Sequence, residues 1–257
     1  MFGPDDGVDK KIARRRELVF IILSGIFLGT LAVLNILGLS RQIDLSFSIG
    51  ELEVPFVVFV GVLPYPITFL CTDFISELYG RRRANTVVWV GLILNIWVLF
   101  ILWLGGILPP RPEMGPDGLP NLEDPTYSFY YIRELTHMST AASMIAYLTA
   151  QFVDVQVFHA LKKLTKGKAL WLRNNGSTLT SQMVDSVAVI LIVYFFSNAI
   201  HIQPGETIAH GLFILIISNY MFKMVSALLD TIPFYIGVRL LSKYLQLDPN
   251  AGYSDPR

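Results

Sequence analysis

Six long runs of mostly apolar positions punctuate the chain, near residues 18–39, 55–78, 87–108, 140–161, 179–200 and 210–240. A membrane-spanning helix needs about 20 such residues. The pattern therefore predicts an all-α polytopic membrane protein with six transmembrane helices, built as a single transmembrane domain over residues 1–257. The third run is the cleanest, broken by almost nothing polar except Asn95. The last exceeds one straight crossing and is expected to extend into the cytosol. The first follows a basic stretch from Lys10 to Arg16. It is too long for a signal-peptide core and no small-residue cleavage site follows, so it reads as an uncleaved anchor helix. Between the first two runs the pattern changes period. Ile43, Leu45, Phe47 and Ile49 alternate with Asp44, Ser46 and Ser48. Period two predicts a short strand or β-hairpin in the first outer loop.

Basic residues orient these helices. Sixteen of the 20 Lys and Arg fall before the first run, after the second, between the fourth and fifth, and from the end of the sixth onward. Arg41, Arg111 and Arg133 fall on the other side, and Lys223 lies within the sixth run. Positive charge marks the cytoplasmic side, so both termini are expected there, with an even number of crossings. The 109–134 loop holds six prolines, five acids and the cluster Tyr127, Tyr130, Tyr131. It reads either as a lid over a site or as a surface loop with an interfacial aromatic anchor.

Composition agrees with a membrane protein. Hydrophobic residues make up 53% and charged residues 16% of the 257, against about 25% charged in soluble domains. Twenty basic residues balance 20 acidic ones, so no global field points to nucleic acid. One cysteine, Cys71, excludes a disulfide framework.

Ionisable residues inside the spans change the picture most. Asp73, Glu77, Asp154, Asp185, Lys223 and Asp230 each cost about 2.5–3.5 kcal/mol at mid-bilayer on insertion scales. They must face one another or a wet cavity. Asp73 and Glu77 are four apart and share a helix face, and Gln151 and Asp154 are three apart. Thr178, Ser181, Gln182 and Asp185 form one stripe, and Asn219, Lys223, Ser226 and Asp230 another. Turning all four stripes toward one central cavity satisfies them together. The competing reading is interhelical hydrogen-bond glue with structural ion pairs, such as Lys223 with a carboxylate. Five acids against one base weigh toward the cavity. Pro64 and Pro66, inside the second run, indicate either a kink or a broken helix lining that cavity. Gly25 and Gly29 offer a close-packing face on the first helix.

Several chemistries are missing from the sequence. There is no Walker A loop, no His-Glu-x-x-His pattern and no Gly-x-Ser-x-Gly elbow. The four histidines do not cluster at ligand spacing. No catalytic residue, metal site or cofactor is expected, and the chain does not read as an enzyme.

Four motifs carry a resemblance. The run from Tyr65 through Pro66 and Thr68 to Asp73, followed by Glu77-Leu78-Tyr79-Gly80, is the first. Ser143, Ala146 and Tyr147 leading to Gln151, Asp154 and Phe158 form the second. The third joins Arg173-Asn174-Asn175, Ser177-Thr178 and Ser181-Gln182 to Asp185-Ser186. The fourth is Tyr220-x-Phe222-Lys223 with Pro233. In this order they resemble the queuosine precursor transporter family, in the vitamin-uptake-transporter group of bacterial inner-membrane proteins. The resemblance implies six helices and import of 7-deazaguanine bases, such as 7-cyano- and 7-aminomethyl-7-deazaguanine, for salvage into tRNA queuosine. It implies a multi-pass protein of the cell inner membrane, with a small-molecule substrate and the lipid bilayer as partners. Homo-oligomerisation stays open.

The polar stripes suit that ligand. Its guanine-like edge presents two adjacent donors, which one carboxylate accepts together; Asp73, Glu77, Asp154 and Asp185 are candidates. The carbonyl beside them needs a donor from Asn175, Gln182, Asn219 or Lys223. A planar base calls for an aromatic wall, from Phe69, Tyr147 or Tyr220, and Gln151 shares the Asp154 face. Two alternatives remain. One is the substrate-binding subunit of an energy-coupling-factor importer, which requires a separate ATPase. The other is a non-transport scaffold or membrane enzyme.

Overall fold

Prolines decide where several elements begin. The computed structural model describes residues 10–109, 111, 125–165, 170–197, 200, 202 and 205–247. Among them are six helices: α1 (Lys10–Leu37), α2 (Tyr65–Tyr79), α3 (Arg81–Ile107), α4 (Pro125–Leu164), α5 (Leu170–Phe196) and α6 (Ile208–Leu245). Four short strands separate α1 from α2: β1 (Gln42–Asp44), β2 (Phe47–Ile49), β3 (Leu52–Val54) and β4 (Val57–Phe59). Four helical segments are long and apolar enough to cross a membrane: α1, Arg82–Ile107, Gly176–Phe196 and α6.

The helix expected over 55–78 starts only at Tyr65. Pro64 is its N-cap and Pro66 lies in its first turn. Neither kinks a helix, which corrects both expectations for them. The first N–H groups of a helix have no partner inside it, so a residue without an N–H costs nothing there. Upstream, Val57–Phe59 is a strand and Val60–Val62 a single 3₁₀ turn. The helix that remains has 15 residues, or ~22 Å at 1.5 Å per residue. Pro233 is the proline found inside a helix, in α6.

The other helices overrun the apolar stretches that announced them. α1 begins at Lys10, α4 at Pro125 and α5 at Leu170. Lys, Arg and Glu are good helix formers. Hydropathy marks only the part of a helix that suits lipid. Tyr127, Tyr130 and Tyr131 consequently sit in the first turns of α4 rather than in a loop. Residues 110 and 112–124 of the expected lid lie outside the described residues.

The four strands form one ribbon with a break. Ile43 faces Val58, Phe47 faces Val54 and Ile49 faces Leu52 in a common antiparallel register. Pro55 has no N–H to extend the ladder across the gap. Ser46 repairs it, its hydroxyl accepting the Phe56 N–H at 3.0 Å. The reversal at Gly50-Glu51 needs a left-handed first residue, and Gly50 has φ 65°. The Ser46 hydroxyl and N–H on Asp44 hold its carboxyl below the usual range.

The chain divides into two compact units. The first comprises Met1–Ala32, Pro64–Ile96 and Val225–Arg257. Its core is Phe27, Cys71, Phe74, Ile75, Leu78, Tyr79, Ala84, Val87 and Leu245. Arg16 of α1 donates to the carbonyls of Leu245 (3.0 Å) and Gln246 (2.9 Å). It thereby satisfies carbonyls at the end of α6 that the helix cannot satisfy itself. The Tyr79 hydroxyl donates to the Arg16 carbonyl at 2.8 Å, and the Arg83 guanidinium lies over the Phe20 and Tyr79 rings. Gly80, at φ 85°, makes the sharp joint between α2 and α3.

The second unit comprises Val33–Leu63 and Trp97–Met224. Its core joins Leu39 and Phe59 to Leu135 and Ala142 of α4, Ile190 and Val193 of α5, and Leu215 of α6. α4 and α5 pack along each other. The small buried residue Ala142 of α4 packs in one cluster with Ile190 and Val193 of α5, and small residues permit close helix approach.

Candidate functional site

The second unit buries a belt of polar side chains where an apolar core is expected. α5 contributes Ser177, Ser181, Asp185 and Ser186, and α6 contributes Ser218, Asn219 and Lys223. Spacings of four place Ser177, Ser181 and Asp185 on one face of α5, and Asn219 and Lys223 on one face of α6. At their meeting point Lys223 Nζ donates to Asp185 Oδ2. Both residues are 6% exposed. Burying either ion alone costs several kcal/mol, which close pairing offsets. The pair therefore has no net charge.

Some neighbours of the pair are satisfied locally. Asn219 Nδ2 donates to the Leu215 carbonyl at 2.8 Å, committing one of its donors to its own helix. Ser181 donates to the Thr178 carbonyl at 3.0 Å. Ser218 Oγ accepts the Val57 N–H at 3.1 Å, which anchors the ribbon against α6. Two acceptors beside Asp185 are different. Gln182 Oε1 and Ser186 Oγ are buried with no hydrogen-bond partner among the described residues. Gln182 and Ser186 are four apart and share a face of α5. Gln182 and Ser186 thus add two buried polar atoms to the α5 side of this belt.

The expected site residues are distributed unevenly. Gln182, Asp185, Asn219 and Lys223 fall together on α5 and α6 of the second unit. Tyr147, on α4 of that unit, is exposed. The side chains of Gln151, Asp154 and Asn175 lie outside the described residues. Asp73 and Glu77 belong to the first unit, exposed on α2, as does Asp230 on α6. On α5 the buried stripe runs through Ser177 rather than Thr178, which is exposed. Ser177, Ser186 and Ser218 were missed as members of the belt. The signal was small hydroxyl residues one turn apart, which hydropathy treats as neutral.

Comparison with known proteins gives the context. The family described as "Putative vitamin uptake transporter" matches residues 59–237. The chain is 26% identical over 172 residues to a probable queuosine precursor transporter of Bacillus subtilis, covering 66% of this chain and 67% of that protein. It is 22% identical over 175 residues to the queuosine precursor transporter of Escherichia coli, covering 68% and 70%. A similar protein of Haemophilus influenzae, a probable queuosine precursor transporter, is 23% identical over 194 residues, covering 73% and 71%. No solved structure matches the chain at a significant level. A family match over most of the length, on a framework of long apolar helices, makes this chain a multi-pass membrane protein of the vitamin uptake transporter family.

Proposed function

We propose that the chain imports queuosine precursors, 7-deazaguanine bases, across the cell inner membrane into the cytoplasm. The observation that carries this is the buried Asp185–Lys223 pair on α5 and α6, in a chain similar to named queuosine precursor transporters. The ligand's two-donor edge goes to Asp185 and Gln182. Its carbonyl goes to Lys223, with Asn219 as second donor. Tyr147 is proposed as the planar wall. Asp73, Glu77, Gln151, Asp154 and Asn175 remain proposed contacts along the route.

Six crossings with both termini in the cytoplasm complete the reading. The bonds from Arg16 to the end of α6 support it, because they bring both ends of the described chain to one end of the first unit. The ribbon then belongs to the outer side.

The test is uptake in a bacterium that neither makes queuosine nor has its own importer. The chain is expressed, a 7-deazaguanine precursor is fed at nanomolar concentration, and queuosine is scored in tRNA. Wild type restores queuosine, Asp154→Asn loses it at unchanged membrane abundance, and Asp185→Asn loses it when uptake is scored per inserted molecule. An inserted wild-type chain that restores nothing overturns the assignment. Restoration only in hosts carrying an energy-coupling ATPase makes the chain a binding subunit instead.

A further inference from the structure

We infer that the β1–β4 ribbon lays one of its faces on the bilayer, in the leaflet next to the end of α1, so that lipid is the partner of its exposed apolar side chains. That leaflet is the outer one in the orientation proposed above. The inference goes beyond the transport reading and does not depend on which molecule is carried.

Register sorts the side chains of the ribbon. Ile43 faces Val58 and Phe47 faces Val54, and the Leu45 N–H donates to the Phe56 carbonyl at 2.8 Å. Residues opposite one another on paired strands share a face, and successive residues alternate between faces. Ile43, Leu45, Phe47 and Ile49 therefore line one face with their apolar partners. Asp44, Ser46, Ser48 and Glu53 line the other, and all four are exposed. Burial then falls along the apolar face. Val58 at the base is 0% exposed, whereas Leu45, Phe47 and Ile49 are 43%, 50% and 64% exposed. A continuous exposed apolar face marks a place where a partner or a membrane sits.

Bilayer is what lies beside it. The base of the ribbon is bonded to the end of α1, a helix long and apolar enough to cross the membrane. The Gly61 N–H donates to the Gly38 carbonyl at 3.2 Å and the Val60 N–H to the Arg41 carbonyl at 2.9 Å. Val33 and Leu37 in the last turns of α1 are exposed, and such side chains on a spanning helix meet lipid tails. The Thr136 hydroxyl donates to the Ile36 carbonyl at 3.2 Å, which sets this part of α4 beside the same turn. Exposed Tyr127 and Tyr131 stand within about three turns of it along α4, and tyrosine concentrates where bilayer meets water. The apolar face of the ribbon thus continues a surface that lipid already covers. An amphipathic element held at that level buries its apolar face at the headgroup boundary and keeps its charged face wet. Asp44 and Glu53 fit the wet side, because anionic headgroups repel them. Residues 42–59 hold no lysine or arginine, so apolar contact and not attraction to anionic lipid seats the ribbon.

The experiment reads the period of two directly. Phe47→Cys, Ser48→Cys and Ile49→Cys, each in a Cys71→Ala background, are labelled with an environment-sensitive fluorophore. The full chain is placed in nanodiscs of phosphatidylethanolamine and phosphatidylglycerol, which leave both membrane faces open to water. Quenching by a lipid carrying a nitroxide near its headgroup is compared with quenching by aqueous iodide. The expected pattern alternates. The lipid nitroxide quenches the labels at 47 and 49 severalfold more than the label at 48, and iodide quenches the label at 48 severalfold more than the other two. Leu45→Cys, on the same face, replaces either apolar-face variant that does not accumulate. Equal iodide quenching at all three positions overturns the inference, because the apolar face is then in water. Protection of 47 and 49 from both quenchers also overturns it, because protein then covers that face, whether this chain or a second copy. Equal lipid quenching at all three overturns the one-sided seating.

Discussion

Lys223 and Asp185 depend on each other more than on anything around them. Removing one partner strands a buried charge, which costs about 3–5 kcal/mol, whereas removing both leaves a neutral pocket. Denaturant or thermal unfolding in detergent should therefore find Lys223→Met and Asp185→Asn each destabilised by that amount. The double variant should lose less than either single one. Additive losses would mean that the two ions do not share their energy. Gly38 makes a second residue-scale test. A Cβ there would run into the Ser139 hydroxyl and the Leu34 carbonyl. Gly38→Ala should cost about 1–3 kcal/mol, the usual price of overpacking, and Ser139→Ala in the same chain should return part of it. That glycine carries no hydropathy signal, so its role was invisible before the fold. The charged residues were legible, because a charge in an apolar run demands a partner wherever it lies. Which partner it takes depends on helix rotation, and Thr178 against Ser177 shows that the sequence leaves rotation open by one residue.

At the scale of elements, the existence of helices was easier to read than their ends. Six apolar runs announced six helices, yet α4 begins fifteen residues before its run, because hydropathy reports lipid contact and helix formation does not require it. The second run was misread in part for the opposite reason. Val57, Val58 and Phe59 are as apolar as any helix but prefer strands, and Pro64 moves the helix start past them. Pro66→Ala should accordingly leave uptake and unfolding nearly unchanged, since a first-turn proline replaces no hydrogen bond. A loss comparable to a mid-helix proline effect, about 3 kcal/mol, would contradict its placement. Ser218→Ala is the contrasting case. It strands the Val57 N–H, which should cost about 1–3 kcal/mol and loosen the ribbon, measured as faster amide exchange at Val57. Toward its tip the ribbon leaves Phe47 50% and Ile49 64% exposed, so its apolar face continues beyond the part that the core covers.

For the whole molecule, orientation is the property that most needs measuring. Cys71 is the sole cysteine and is buried. A Cys71→Ala background therefore permits single-cysteine mapping. In intact cells a membrane-impermeant maleimide should label Ser48→Cys in the ribbon, and should label Leu247→Cys only after lysis. The reverse pattern would invert the proposed topology. In either case the Arg16 bonds hold α1 beside the end of α6.

Those bonds also constrain how the protein is made. Arg16 sits in α1, and its acceptors, Leu245 and Gln246, lie at the end of α6, more than 200 residues later in the chain. The contact cannot form before α6 has been made. Until α6 is complete, the Arg16 guanidinium lacks these two acceptors. A nascent chain stalled before Leu245 therefore lacks this latch.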